Sequence, residues 1–214
     1  IVNDTNLTVS ITEQGEVTLT PNANWSGNAN IEFIADDGSL TANDNITITV
    51  EPVNDQPTLS VIINPISWTE DSVYDSISQD ESLLEYFTDV DGDNLEFNIS
   101  TQPLNITVSI NNQTGGFNLT PDNNFTGENM IVFTATDEDG EYVDSNLVTL
   151  TVTQVNDPPY IILEMQDVIF LEDEIHNELQ LTDYFGDIDN ETLSYNHIVN
   201  DTNLTVSITE QGEV

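Results

Sequence analysis

The sequence contains no lysine and no arginine, against 40 aspartates and glutamates in 214 residues, and its formal net charge at pH 7 is -40. Soluble domains ordinarily mix both signs, so this is not a chance composition. No phosphate-neutralising surface can form, which excludes nucleic acid as a partner. A polybasic membrane patch and a Lys–Asn isopeptide crosslink are excluded on the same ground. Cysteine is also absent, so there are no disulfides and no thiolate metal sites. No run of about 18 apolar residues predicts a spanning helix, and no secretory leader is legible in these residues. Charge of one sign at this level ordinarily signals disorder. Here, however, 37% of residues are hydrophobic, 16 aromatics included, and they recur with a period. A folded chain is therefore predicted, whose carboxylates are tolerated through salt or bound cations.

The strongest signal is repetition. IVNDTNLTVSITEQGEV occupies residues 1–17 and again 198–214, an offset of 197. A shorter repeat lies within it: VNDQP starts at Val53 and VNDPP at Val155. EYFTDVDGDNLEFN from Glu85 matches DYFGDIDNETLSYN from Asp183, and FNLTPDNNFTG from Phe117 matches VTLTPNANWSG from Val17. IVFTATDEDG from Ile131 matches IEFIADDG from Ile31. Such a period must be found before the fold is assigned. It predicts two related units per 197 residues. Residues 1–52 are read as the second half of one unit, 53–154 as a complete unit and 155–214 as the first half of the next. The register thus predicts a window on a longer periodic chain. A half unit cannot bury its core alone: in a longer chain the preceding repeat supplies the partner, and in this stretch taken by itself the two ends can pair only with each other or with neighbouring copies.

Alternation of period two predicts strands. Leu7, Val9 and Ile11 alternate with polar residues, as do Ile46, Ile48 and Val50. In the complete unit strands are expected near 59–63, 66–69, 83–87, 95–99, 106–110, 117–120, 130–136 and 147–153, the first two as one interrupted strand. A helical turn within DESLLEYF is the alternative reading. Seven short strands per 100 residues describe an all-β, immunoglobulin-like sandwich, here in a head-to-tail array.

The acids are clustered at fixed places: Glu70-Asp71, Asp89-Val90-Asp91-Gly92-Asp93 and Asp137-Glu138-Asp139-Gly140. Glu172-Asp173, Asp187-Ile188-Asp189 and Asp36-Asp37-Gly38 repeat them, and Asn54-Asp55 and Asn156-Asp157 sit between units. Calcium takes six to eight oxygen ligands, which such residues supply, and converging carboxylates repel without a cation among them. The spacing is not that of an EF-hand. A solvated acidic turn is the alternative reading.

These motifs resemble the cadherin-like repeats of microbial surface adhesins and filaments, including the tandem-95 and dystroglycan-type groups. The resemblance implies sandwiches strung end to end with calcium at the joints. It implies Glu70 and Glu172 as first-strand ligands and Asn54, Asp55, Asn156 and Asp157 as joint ligands. Asp89, Asp91, Asp187 and Asp189 match the following domain's Asp-x-Asp. Asp137 and Asp36 match its x-Asp-x-Gly, with Asp37 or Asp139 as alternatives. The second Asp-x-x-Glu motif of cadherins is missing, so one or two ions per joint are expected. Asn190-Glu191 follows Asp189 where Gly92-Asp93 follows Asp91, which predicts a weaker site.

Twelve N-x-[ST] sequons occur where composition predicts about five, at Asn3, Asn6, Asn24, Asn45, Asn98, Asn105, Asn112, Asn118, Asn124, Asn190, Asn200 and Asn203. They predict N-linked glycans on an exported surface, although eight have the apolar middle residue that strand alternation alone would give. His176 and His197 lack the neighbours of a transition-metal site. Paired carboxylates can serve a glycosidase, but proximity among 40 acids means little, and a non-enzyme is expected. Trp25 and Phe125 hold equivalent positions and are expected in the core or at a joint. The leading expectation is a calcium-stiffened segment of an extracellular fibre or adhesin stalk, with neighbouring copies as partners head to tail and laterally. The alternative is a binding module for a glycan or a partner cell.

Overall fold

The computed structural model describes residues 5–189, 191–209 and 212–214, and the architecture is all-β. Residues 5–52 form two hairpins, β1 (Leu7–Ile11) with β2 (Val17–Pro21) and β3 (Gly27–Asp36) with β4 (Thr41–Val50). The next stretch holds β5 (Thr58–Leu59), β6 (Ile66–Thr69), β7 (Tyr74–Asp75), β8 (Phe87–Thr88) and β9 (Glu96–Thr101). It continues with β10 (Ile106–Asn111), β11 (Gly116–Pro121), β12 (Gly127–Thr136), β13 (Tyr142–Asp144) and β14 (Val148–Thr153). Two short strands follow, β15 (Tyr160–Ile161) and β16 (Phe185–Gly186).

In the middle stretch β12 is the spine. Its first half pairs with β14; its second half pairs with β9 and β13, and the β9 register shifts between Val132 and Phe133. β6 joins the far side of β14 in parallel. The facing layer is β10-β11-β7. Alternate residues of both layers point inward. Phe117 and Leu119 from one layer meet Ile131, Phe133 and Leu150 from the other, all buried. The Phe117 and Phe133 rings pack at 4.9 Å between centroids, tilted by 49°. Each such side chain contributes about 1.5–3 kcal/mol by leaving water. Ser76, also buried, is satisfied: its N–H donates to the Phe117 carbonyl, and its Oγ accepts from the Phe117 N–H at 2.8 Å.

Three strand expectations shift. The expected strand at 83–87 is a 3-10 turn, Leu83–Glu85, capped by Ser82 Oγ, before β8. Leu83 and Phe87 are both buried four residues apart, a helical spacing that strict alternation misreads. The strand expected at 59–63 is only Thr58–Leu59, because Asn146 serves the backbone beyond it. Its Oδ1 accepts from Ile63 N–H at 2.8 Å and its Nδ2 donates to Ile63 carbonyl at 2.9 Å. β7 and β13 were not expected.

Residues 5–52 carry a small core of Leu7, Ala29 and Ile31. Beyond 155, Leu181–Asp183 form a 3-10 turn and β15 pairs with β16. Gly212 accepts from Leu181 N–H at 2.8 Å, as Gly115 accepts from Leu83 N–H at 2.8 Å. The same text folds differently at its two places: Leu7–Ile11 is a strand against Val17–Pro21, whereas 204–208 is not a strand.

Candidate cation joints

Two loops and a linker meet at the upstream end of the sandwich. Asp89 opens a turn in which its Oδ1 accepts N–H groups from Asp91 at 2.8 Å and Gly92 at 3.2 Å. Gly92 sits at φ +83°, a left-handed conformation that a glycine adopts freely. The turn aims Asp91 at the linker, where its Oδ2 accepts from Asp55 N–H at 2.7 Å. The second loop follows β12. Buried Asp137 accepts Asp139 N–H at 3.0 Å and Glu141 N–H at 2.8 Å on Oδ1, and the Asn54 amide at 3.0 Å on Oδ2. Burial pushes the Asp137 carboxyl up, but the Asn54 amide and the backbone donors outweigh it and hold the group below its usual range. Asn54 also donates to Glu141 at 3.3 Å, and Asn94 ties the loops by donating to Glu138 at 2.7 Å. Asp93 is pushed up by burial and by the charges of Asp89, Glu138, Asp137 and Asp139.

The downstream end repeats this wiring. Asp189 Oδ2 accepts from Asp157 N–H at 2.6 Å, and Asp187 Oδ1 accepts from Asp189 N–H at 2.9 Å. Buried Glu70 reaches across from the sandwich, with Oε1 accepting from Val155 N–H at 2.9 Å. Asp157 is pushed up by burial, then by the charges of Asp71, Asp189, Glu70 and Asp187. Each end leaves one buried carboxylate oxygen unpartnered: Asp89 Oδ2 upstream and Asp157 Oδ2 downstream. Buried oxygens of this kind ordinarily have a donor or a cation.

The structure therefore gathers Asn54, Asp55, Asp89, Asp91 and Asp137 at one end, and Glu70, Asp157, Asp187 and Asp189 at the other. It does not gather all the sequence candidates. Asn156 is exposed and donates to the Asp157 carbonyl. Glu172 and Asp36 are exposed. Asp37, rather than Asp36, follows its ten-residue strand as Asp137 follows β12. Its Oδ1 accepts the N–H groups of Ser39 and Leu40, which lower its pKa. Glu141 was not among the sequence candidates; nothing in its spacing marks an acid that folds back onto the linker. Among the described residues, no three His, Asp or Glu side chains stand as a ready metal cage. The donor set is nevertheless of the all-oxygen kind that a hard cation such as calcium takes.

Trp25 and Phe125 pack against the cores of their stretches. Trp25 also lines a cavity of about 300 Å³ with Pro52, Asp55 and Asp91, beside the upstream joint. Sequon residues Asn24, Asn45, Asn98, Asn105, Asn112, Asn118, Asn124, Asn200 and Asn203 are exposed, and Asn6 is half-buried. Asn3 and Asn190 lie outside the described residues.

Residues 53–153 match the family model of a cadherin-like domain, and this stretch is a cadherin-like domain. Among solved structures, the chain is similar to a protocadherin GammaB4 extracellular domain at 19% identity and TM-score 0.45, over 76% of this chain and 27% of that one. The human desmocollin-1 ectodomain is similar at 15% identity and TM-score 0.37, over 80% and 35%. An endo-fucoidan hydrolase of glycoside hydrolase family 107 is similar at 21% identity and TM-score 0.35, over 72% and 23%. The chain thus spans about a third or less of these proteins, and the likeness concerns fold alone. No curated protein matches it. Cadherin-like domains are modules of extracellular adhesion-type proteins. No helix of the described residues is long and apolar enough to cross a membrane.

Proposed function

We propose that this chain is a stretch of an extracellular filament or adhesin stalk, built from a 197-residue period of two cadherin-like units and stiffened by calcium at the joints. One observation carries the reading. The same bond sequence, linker N–H to second Asp and second Asp N–H to first Asp, recurs at both ends of the sandwich, and each end leaves a buried carboxylate oxygen without a partner. Calcium would be held by Asp55, Asp89, Asp91 and Asp137 with Asn54 upstream, and by Glu70, Asp157, Asp187 and Asp189 downstream. Backbone carbonyls and water complete six to eight oxygens. Bridging linker and loop, the ion restrains the hinge between units. The role is mechanical and non-catalytic. The exposed sequon asparagines are read as N-glycan attachment points on the outer surface.

Adding chelator should lower the melting temperature and broaden the end-to-end distance measured between labels on the two ends. Unchanged melting together with unchanged distance removes calcium from the proposal. Peptides cut after Glu from protein of the native source should weigh more than their bare sequences where they carry the exposed sequons; bare masses at every exposed sequon remove the glycans.

A further inference from the structure

The sequons differ in what the fold does with them. Asn24 and Asn124 hold the same place in the two units. Each is the third residue of a β-turn, closed by Trp25 N–H to the Asn22 carbonyl at 3.3 Å and by Phe125 N–H to the Asp122 carbonyl at 3.0 Å. Their φ values are 58° and 57°, in the left-handed region that asparagine enters more readily than most residues. Asn105, at φ 56°, forms a second turn beside that of Asn124, and Asp122 N–H donates to its carbonyl at 2.8 Å. All three asparagines are exposed, as are their sequon partners Ser26, Thr126 and Thr107. Among the described residues no hydrogen bond engages the three side-chain amides. Asn124 is exposed within the complete unit, and Asn24 is exposed with the complete unit beside it. The other sequons of the complete unit are held. Asn118 lies in β11, opposite Ser109 of β10 and Asp75 of β7, and its amide donates to the Phe117 carbonyl at 3.1 Å and to Asp75 at 3.3 Å. Asn98 lies inside β9 opposite Thr134, and its Oδ1 accepts Ile99 N–H at 2.8 Å. Asn112 is in a hairpin turn, but its Oδ1 accepts Phe97 N–H at 3.0 Å and Thr114 Oγ1 accepts Gly116 N–H at 3.3 Å.

We propose that sugar is added to the folded chain, and that the turn sequons Asn24, Asn105 and Asn124 take it ahead of Asn98, Asn112 and Asn118. The chemistry sets the requirement. The donor is an oligosaccharide carried on a lipid phosphate. Its anomeric C–O bond to phosphate breaks, a bond from that carbon to Asn Nδ2 forms, the amide gives one proton to solvent and the lipid phosphate leaves. Nδ2 must therefore be free, and the backbone around it must lift into the transferring enzyme. An exposed turn lifts without opening a ladder. Asn118 would have to give up pairing to both neighbouring strands, and each backbone bond opened lowers the accessible population by about fivefold. The favoured positions stand around the joints. Gly127, just after the Asn124 turn, pairs with Val152, beside Thr153, whose carbonyl accepts Glu70 N–H. Asn24 lines the cavity of about 300 Å³ with Val53, Asp55 and Asp91. The inference rests on the glycan reading above, which it narrows, and not on calcium.

Cutting protein of the native source after Glu96 and Glu128 releases Phe97–Glu128, one peptide that carries five sequons. Their occupancies can therefore be compared within a single molecule by electron-transfer fragmentation, which leaves sugar on the chain. Sugar should sit on Asn105 and Asn124 at least about fivefold more often than on Asn98, Asn112 or Asn118. Val17–Glu32 carries the Asn24 sequon alone and should be recovered mostly with sugar. Equal occupancy across the five, or a mostly bare Asn24, overturns the proposal and leaves the glycan reading standing. Bare sequons throughout the chain overturn both. Membranes of the source, given the synthetic peptide Phe97–Glu128, which lacks the sandwich around it, should modify its Thr sequons without this preference. The same preference on that peptide means that sequence and not the fold selects the sites, which also overturns the proposal.

Discussion

Asp89 turns one oxygen toward its own loop and buries the other without a donor. That division predicts the effect of Asp89→Asn, which keeps the loop acceptor and removes the charge. Calcium affinity at the upstream joint should fall by at least about 10–100-fold by calorimetry, the range seen even when groups behind the ligands are changed. Melting in chelator should hold or rise, because a like-charge repulsion has gone. Acid titration of the metal-free protein gives the second residue-scale prediction. Asp157 has a folded pKa raised above 3.8 by burial and by Asp71, Asp189, Glu70 and Asp187. Its protonation favours the folded state, so that contribution is full below 3.8 and fades as pH rises through the raised value. Asp137 has its pKa lowered from 3.8, so its contribution is present above 3.8 and is lost as pH falls through the lowered value. Melting in chelator should therefore climb as pH drops from 7 toward 3.8 and decline below it. A curve that falls monotonically from pH 7 contradicts this balance.

At the scale of elements, turns differ in what they tolerate. Gly115 has φ +66°, and a Cβ there would lie 2.6 Å from Ser82 Oγ and 2.9 Å from Leu84 N. Gly115→Val should cost about 1–3 kcal/mol from overpacking, plus about 1–2 kcal/mol from the left-handed backbone. Gly140 has φ +89° with nothing within 4 Å of its Cβ, so Gly140→Ala should lose only the backbone part. Urea melts of the two variants, with clearly separated midpoints, check the difference. The strands themselves were largely legible in the sequence, since alternation placed β6, β10, β11, β12 and β14 to within a few residues. The Leu83–Glu85 turn was only half legible: its two core residues are spaced for a helix inside a stretch rich in strand formers. The Asn146 clamp on Ile63 joins residues 83 apart, and no local pattern announces it. The acid clusters were legible as clusters. That Glu141 turns back to Asn54 while Glu172 stays exposed depends on which strands stand behind them, and that is a tertiary property.

For the whole molecule, -40 without a single fixed countercharge sets the dominant long-range term. Of the 40 acids, all but Asp201, Glu210 and Glu213 fall in residues 1–197. If two sandwiches stand end to end as proposed, over roughly 80–90 Å with strands of about 3.3 Å per residue, they carry about one charge per 2.3 Å of axis. Duplex DNA carries about one per 1.7 Å. Sodium chloride should raise the melting temperature gradually as screening shortens the repulsion. Calcium should produce its rise at far lower concentration, in a saturable step. Coincidence of the two curves at equal ionic strength would mean diffuse counterions alone. The repeat made the period visible in the sequence, but not which acids gather at which end of the sandwich. Asn54 reaches Asp137 because β12 is in place behind it. Asn156 instead donates to the neighbouring Asp157 carbonyl.

The parallel pairing of β6 with β14 has a further consequence. Both strands run toward the same end, where Glu70 N–H donates to the Thr153 carbonyl, while the linker at Asp55 is held at the opposite end. Tension carried along the chain therefore pulls these two strands past one another lengthwise instead of peeling them apart. The ladder bonds between them share the load and must break together. If the proposed filament is built of such units, it should resist stretching up to a threshold and then yield one unit at a time.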